Sequence, residues 1–195
     1  MRVALIYTGH IRTWDKCRGN QYLNIITDEC DLYWHTYERP PADDTDEYFP
    51  IPGEFHQYDG HPYDNNRRPE TSVANTLNQW HNNFIGFCMV PKIYDVYVRL
   101  RPDITFSDKI DFSQYDYSGN TIYIPHGHNY WDGVNDQVAF GNYEVMKKYY
   151  SVYLNHSDIY KHGKIFHTEG YVTENLQRYG VDIVRIPIDN YVIRL

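Results

Sequence analysis

Residues 94–106 read YDVYVRLRPDITF. Val96, Val98 and Leu100 alternate along a β-branched apolar run, the pattern of a strand buried inside a sheet. Pro102 has no N–H to give to a neighbouring strand, so the ladder stops there and Arg101 and Asp103 emerge at the strand's C-terminal edge. In α/β proteins that edge is where ligands bind. A carboxylate beside two guanidinium groups, Arg99 and Arg101, suits a divalent cation held against phosphate oxygens, because hard oxygen ligands take Mg²⁺ or Mn²⁺ and the arginine fork matches phosphate. It suits equally a strand end closed by local Arg–Asp pairing.

Outward from this strand the chain alternates strands and helices. Val3 to Tyr7 is a short apolar run that breaks into Thr8-Gly9-His10, a buried strand entering a glycine turn with room for a phosphate. Residues 15–27 predict a helix through Tyr22, Leu23, Ile25 and Ile26, and Cys30 to His35 a second strand, which together make one βαβ unit. Arg39 to Pro69 carries Pro, Asp, Tyr, Asn and Gly with little periodicity and reads as a long irregular excursion. Its acidic cluster, Asp43, Asp44, Asp46 and Glu47, reads as a solvated charged loop ahead of a cation site. Glu70 to Met89 places Val73, Leu77, Trp80, Phe84, Ile85 and Cys88 at spacings of three and four, an amphipathic helix with Thr71 or Ser72 as its N-cap. Further on, Thr121 to Pro125 and Val138 to Gly141 predict strands and Tyr143 to Leu154 a helix. A helix from about Gly170 to Tyr179, closed by Gly180, precedes a last strand over Val181 to Ile186.

That order implies an α/β fold, a Rossmann-like, mixed but mostly parallel sheet flanked by helices, with room for an antiparallel strand near the site. At 195 residues the chain suits a single domain, 1–195. A net charge of −8, with the basic residues scattered, argues against a nucleic-acid partner, which would require clustered Lys and Arg. No stretch approaches the roughly 20 apolar residues that span a bilayer, and residues 1–8, MRVALIYT, read as a strand rather than a signal peptide. Three cysteines without a CxxC pair suit a reducing compartment, so a cytoplasmic location is expected. The 21 tyrosines and 4 tryptophans mostly fill the core and rim of a polar protein; only those near the site bear on ligand stacking.

Three loops follow sheet strands: Thr8 to Arg12, Arg99 to Asp103, and His126 to Gln137. If their strands are parallel neighbours, one crevice gathers backbone amides, Arg12, Arg99, Arg101, Asp103, Asp132 and Asp136, a plausible place for a diphosphate with a metal. The GxGxxG and GxxxxGK[ST] fingerprints are missing. His126 and His128 without a third ligand are weak grounds for zinc, and Glu169 reads as capping the helix that follows it.

The segments VALIYTGHIRTW, CDLYWHTY, YDVYVRLRPDITF, NDQVAFGNYEVMKKYY and HTEGYVTENLQRYGVDIVRI resemble, in order and character, those of small GT-A-type glycosyltransferases, among them the chlorella-virus enzymes that act on the major capsid protein. The resemblance runs over nearly the whole chain. It implies a GT-A fold, a UDP-sugar donor, a glycan or glycoprotein acceptor, action in the host cytoplasm for a viral enzyme, and Mn²⁺ (or Mg²⁺) bridged by an Asp-x-Asp motif at a central strand end. Asp103 matches the motif's last carboxylate and the metal ligand, Arg101 stands where the first Asp would be, and His167 is a candidate for the remaining ligand. Thr8, Gly9, His10 and Arg12 match the loop that holds the nucleotide, with Arg99 and Arg101 on the diphosphate. Asp136, ahead of Asp132, is the expected acceptor-side base.

Two other functions use the same residues differently. A metal-dependent nucleotide-sugar hydrolase or phosphoesterase would pass the group to water, and a non-catalytic glycan-binding module would rely on the aromatic rings alone.

Overall fold

The computed structural model describes residues 1–51, 63, 67–68, 71–127 and 133–194. Its elements run β1 (Val3–Gly9), α1 (Trp14–Asn24), β2 (Cys30–Thr36), β3 (Glu47–Pro50), α2 (Val73–Cys88), β4 (Val96–Leu100), β5 (Ile104–Phe106), β6 (Thr121–Pro125), β7 (Ala139–Gly141), α3 (Tyr143–Tyr150), α4 (Val152–Lys161), α5 (Thr168–Arg178), β8 (Asp182–Ile186) and β9 (Asn190–Val192). Seven strands form one sheet in the order β3-β2-β1-β4-β7-β6-β8. Only β7 runs against the others, pairing antiparallel with both β4 and β6. The mixed, mostly parallel sheet flanked by helices is the architecture the alternating pattern implies.

Both faces of the sheet are covered, which is why its central strands are largely apolar. Along β1, Ala4 and Ile6 join a core that Leu77, Trp80, Met146 and Leu176 of α2, α3 and α5 close from one side. Val3, Leu5 and Tyr7 face the opposite core, with Trp14, Trp34, Val98 and Leu100. Each such aliphatic side chain, fully buried, contributes about 1.5–3 kcal/mol. Among the described residues, no helix is long and apolar enough to cross a membrane.

The structure differs from the sequence reading in four places. The excursion after Arg39 is not all irregular: Glu47–Pro50 forms β3, the sheet's edge strand, parallel to β2. A strand ending in proline with two exposed residues carries no burial signal, and such strands are confined to edges. The expected helix over 143–154 is broken at Ser151 into α3 and α4. β8 is not the last strand, since β9 follows and pairs antiparallel with β5 in a small separate ribbon. Finally, the acidic cluster is solvated at Asp43, Asp46 and Glu47 but not at Asp44. Asp44 is fully buried, and its carboxylate accepts from Trp14 Nε1 (2.9 Å) and Tyr22 Oη (2.7 Å) and pairs with Arg18 (3.0 Å).

Candidate functional site

From β1 the chain steps outward through β2 to β3, then returns to β4 on the other side of β1. That reversal opens a crevice beyond the C-terminal ends of β1 and β4, the place where open α/β sheets bind ligands. A cavity of about 390 Å³ lies there. Thr8, Gly9, His10 and Arg12 line it from the end of β1, and Arg99, Arg101 and Asp103 from the end of β4.

The β1 end is shaped by Gly9, whose φ of 106° is one that other residues adopt only with strain. The Gly9 carbonyl accepts from the Tyr37 amide (3.2 Å), which joins the loop after β1 to the loop after β2. His10 stacks on Tyr37 with ring centroids 4.4 Å apart, and its Nδ1 lies 3.0 Å from Glu38 Oε1. Burial pushes the Glu38 carboxyl up, but the hydrogen bonds from His10 and the Ile11 amide outweigh it and hold the group below its ordinary value.

At the β4 end, Arg99 shares the strand face of Tyr97 and is buried beneath α2 and α3, while Arg101 lies beyond the strand. Both Asp103 oxygens accept from the Arg101 guanidinium, at 2.8 and 2.7 Å. Burial disfavours the Arg101 charge, yet the bonds and charge of Asp103, aided by Asp136, overcome it and raise the arginine's pKa. The turn itself hangs from a buried amide: Gln21 Nε2 donates to the Ile104 carbonyl (2.9 Å), and Gln21 Oε1 accepts from Tyr7 Oη (2.7 Å).

The third wall is a row of carboxamides on α2. Asn75, Asn78, Gln79, Asn82 and Asn83 all line the cavity. Their spacing of three, one, three and one is the helical period, so a single face carries them while Val73, Leu77 and Trp80 face the core. Sequence reasoning weighed only the apolar stripe of this helix; the same periodicity applied to Asn and Gln would have found the polar one. Thr8 Oγ1 donates to Asn83 Oδ1 and Asn82 Nδ2 to Tyr37 Oη (3.1 Å), so the row also ties α2 to the β1 and β2 loops.

The remaining expected site residues fall elsewhere. Asp136 is buried behind this wall, where its Oδ2 accepts from Gln79 Nε2 (2.7 Å). It comes near because β7 pairs antiparallel with β4, with Ala139 opposite Arg99, so the residues before β7 pass the C-terminal end of β4. The neighbouring Asn135 makes the turn, its Oδ1 accepting from the Gln137 amide (2.8 Å). His167 does not line the cavity with Asp103. It is the N-cap residue of α5, with Nδ1 3.0 Å from Glu169 Oε2, and Glu169 sits in the first turn, where a carboxylate complements the helix N-terminus. Asp132 and His128 lie outside the described residues.

A Mn²⁺ or Mg²⁺ ion needs several oxygen donors. Among the described residues, no group of three or more His, Cys, Asp and Glu side chains comes together to hold one. Asp103 is the one carboxylate on the described cavity wall, and both its oxygens are engaged by Arg101. An ion here would have to displace a guanidinium, so the described donor set does not fit a divalent cation. It does fit an anion, with three arginines facing one carboxylate.

No protein-family model and no curated protein sequence matches this chain.

Proposed function

We propose that this protein is a glycosyltransferase of GT-A type that takes its sugar from a nucleotide-sugar, UDP-linked, and passes it to a glycan or glycoprotein acceptor, acting in the cytoplasm. The observation that carries this reading is the net positive, amide-walled cavity at the C-terminal ends of β1 and β4. Breaking a sugar–diphosphate bond develops negative charge on the departing phosphate, and fixed guanidinium groups stabilise that charge without having to reorganise. Arg12, Arg99 and Arg101 are the groups for it. The α2 carboxamides each offer both donors and an acceptor, which suits sugar hydroxyls. The His10–Tyr37 stack offers a flat face at the rim for a base.

An inverting transfer also needs a carboxylate to take the acceptor's proton. We assign that part to Asp136, one carboxamide behind the wall, which a turn of Gln79 would uncover.

The test is calorimetric titration with UDP, GDP and CMP, followed by incubation of UDP-sugars with oligosaccharide acceptors and mass analysis of the products. UDP binding and a product one sugar heavier support the reading. Release of free sugar at the same rate with or without acceptor makes the protein a hydrolase, and glycan binding without any nucleotide binding makes it a lectin-like module.

A further inference from the structure

Two buried donors in the cavity wall have no acceptor. Among the described residues, Arg99 Nε and Asn78 Nδ2 are each sealed from solvent and make no hydrogen bond, although their residues are only 2% and 6% exposed and both line the cavity. A buried unpaired donor costs on the order of 1–3 kcal/mol, more when it is charged, so natural proteins keep few of them and those few call for an explanation. Here one lies on β4 and the other on α2, and they meet across the same space. Among the described residues, the Arg99 guanidinium donates to the adjacent Leu100 carbonyl and pairs with no carboxylate. Both groups are donors, so what completes them is a ligand rich in acceptor oxygens and negatively charged.

We infer that the cavity binds the diphosphate of a nucleoside diphosphate directly through Arg99, Asn78 and Arg101, with no divalent metal ion between protein and phosphate. This rests on the function proposed above and specifies how that site holds its donor. Arg101 stands where a metal-binding motif would need a second carboxylate, and its fork occupies the one carboxylate that is present. A metal exists in such sites to offset phosphate charge. Three guanidinium groups against one carboxylate already supply the complement of the dianionic diphosphate of a nucleotide-sugar, in a wall where the charge is partly desolvated and acts strongly. Guanidinium and carboxamide N–H groups also fix the direction of the phosphate oxygens.

The experiment is calorimetric titration of UDP, and separately of inorganic pyrophosphate, into the full chain in EDTA and in excess Mn²⁺. The expected result is a UDP dissociation constant that changes by less than about threefold between the two, whereas a metal-bridged site changes by orders of magnitude. Arg99→Met and Asn78→Leu, checked by circular dichroism for an intact fold, should each weaken UDP and pyrophosphate in EDTA, the arginine variant by roughly 30-fold or more. UDP binding that appears only with Mn²⁺ overturns the inference and leaves the glycosyltransferase reading standing. Binding in EDTA that both variants leave unchanged also overturns it, since the anion then sits elsewhere. Failure of wild type to bind UDP or pyrophosphate in either condition sinks the reading and the inference together.

Discussion

Asp44 and Arg99 are both buried charges, packed on opposite faces of one sheet, and the fold treats them oppositely. Asp44 is saturated: an indole, a phenol and a guanidinium converge on its carboxylate, and its backbone carbonyl accepts from Trp34 Nε1 at 2.8 Å. Arg99 is left with an orphaned Nε beside a cavity. The charge that has all its partners welds α1, β2 and the turn at Ala42–Asp44 together, and its purpose ends there. The charge that lacks them carries an energetic cost in the free protein that a bound anion would relieve. Satisfaction of buried polar groups thus separates the framework from the site more clearly than burial or charge does.

Stability measurements test this contrast directly, and the largest effect belongs to Asp44. Asp44→Ala leaves the buried Trp14 Nε1 without its acceptor, while Tyr22 and Arg18, about 40% exposed, turn to solvent, which should cost about 2–3 kcal/mol in urea unfolding. Asp44→Asn keeps an acceptor oxygen and should lose less. Arg99→Met should behave the other way. Replacing a buried, incompletely paired guanidinium by an apolar chain of similar length leaves stability unchanged or raises it by on the order of 1 kcal/mol. A loss at Arg99 as large as that at Asp44 would mean that both charges are structural, and the distinction would collapse.

These two residues also mark where sequence stops being informative. β1, β2, β4 and β6 were legible because strands buried on both faces must be largely apolar, β8, a half-exposed edge strand, because Val181 to Ile186 follows the helix stop at Gly180, and the loops Thr8 to Arg12 and Arg99 to Asp103 followed as the C-terminal ends of β1 and β4. β3 was not, because an edge strand of four residues, with Glu47 and Pro50 exposed, needs no apolar pattern. The fate of Asp44 depends on Trp14 and Tyr22, which lie 30 and 22 residues away, so a local reading of Asp43 to Glu47 sees only an acidic loop. On α2 the amide row was present in the sequence, but whether its face meets a cavity or solvent is decided by where β4 and the β1 loop lie. Gln21 escaped notice for the same reason: its partners, Tyr7 and the Ile104 carbonyl, are remote in sequence.

A smaller effect is expected where the wall meets the framework. Gly86, in the last turns of α2, packs so closely that an added Cβ would lie 2.9 Å from Thr8 Cγ2 and 3.2 Å from His35 Cβ. Alanine is ordinarily worth up to about 1 kcal/mol over glycine inside a helix. Thr8 is β-branched, buried and bonded to Asn83, so it cannot yield easily. Overpacking of this kind costs about 1–3 kcal/mol, and Gly86→Ala should therefore be net destabilising by roughly 1 kcal/mol. Urea unfolding checks the sign. A stabilised variant would show that the β1 end of the cavity is softer than the Asp44 cluster.

The smallest effect tests the saturation of Asp44 through pH. Tyr22 donates its phenol to Asp44 at 2.7 Å. Burial, together with the hydrogen bond and negative charge of Asp44, pushes its pKa from the ordinary 10.0 up to about 12. A raised pKa means that the folded state favours the protonated phenol, so the stabilisation is complete below about pH 10 and is lost as pH rises towards 12. Tyr22 is 40% exposed, and solvent screening keeps the contribution small. Because other buried tyrosines, Tyr7 among them, are shifted upward too, the wild-type curve alone falls with alkali for several reasons. The informative quantity is the difference between wild type and Tyr22→Phe in urea midpoint, which should be larger at pH 8 than at pH 11. An equal difference at both would mean that the phenol lends no proton to Asp44, and that the carboxylate is held by Trp14 and Arg18 alone.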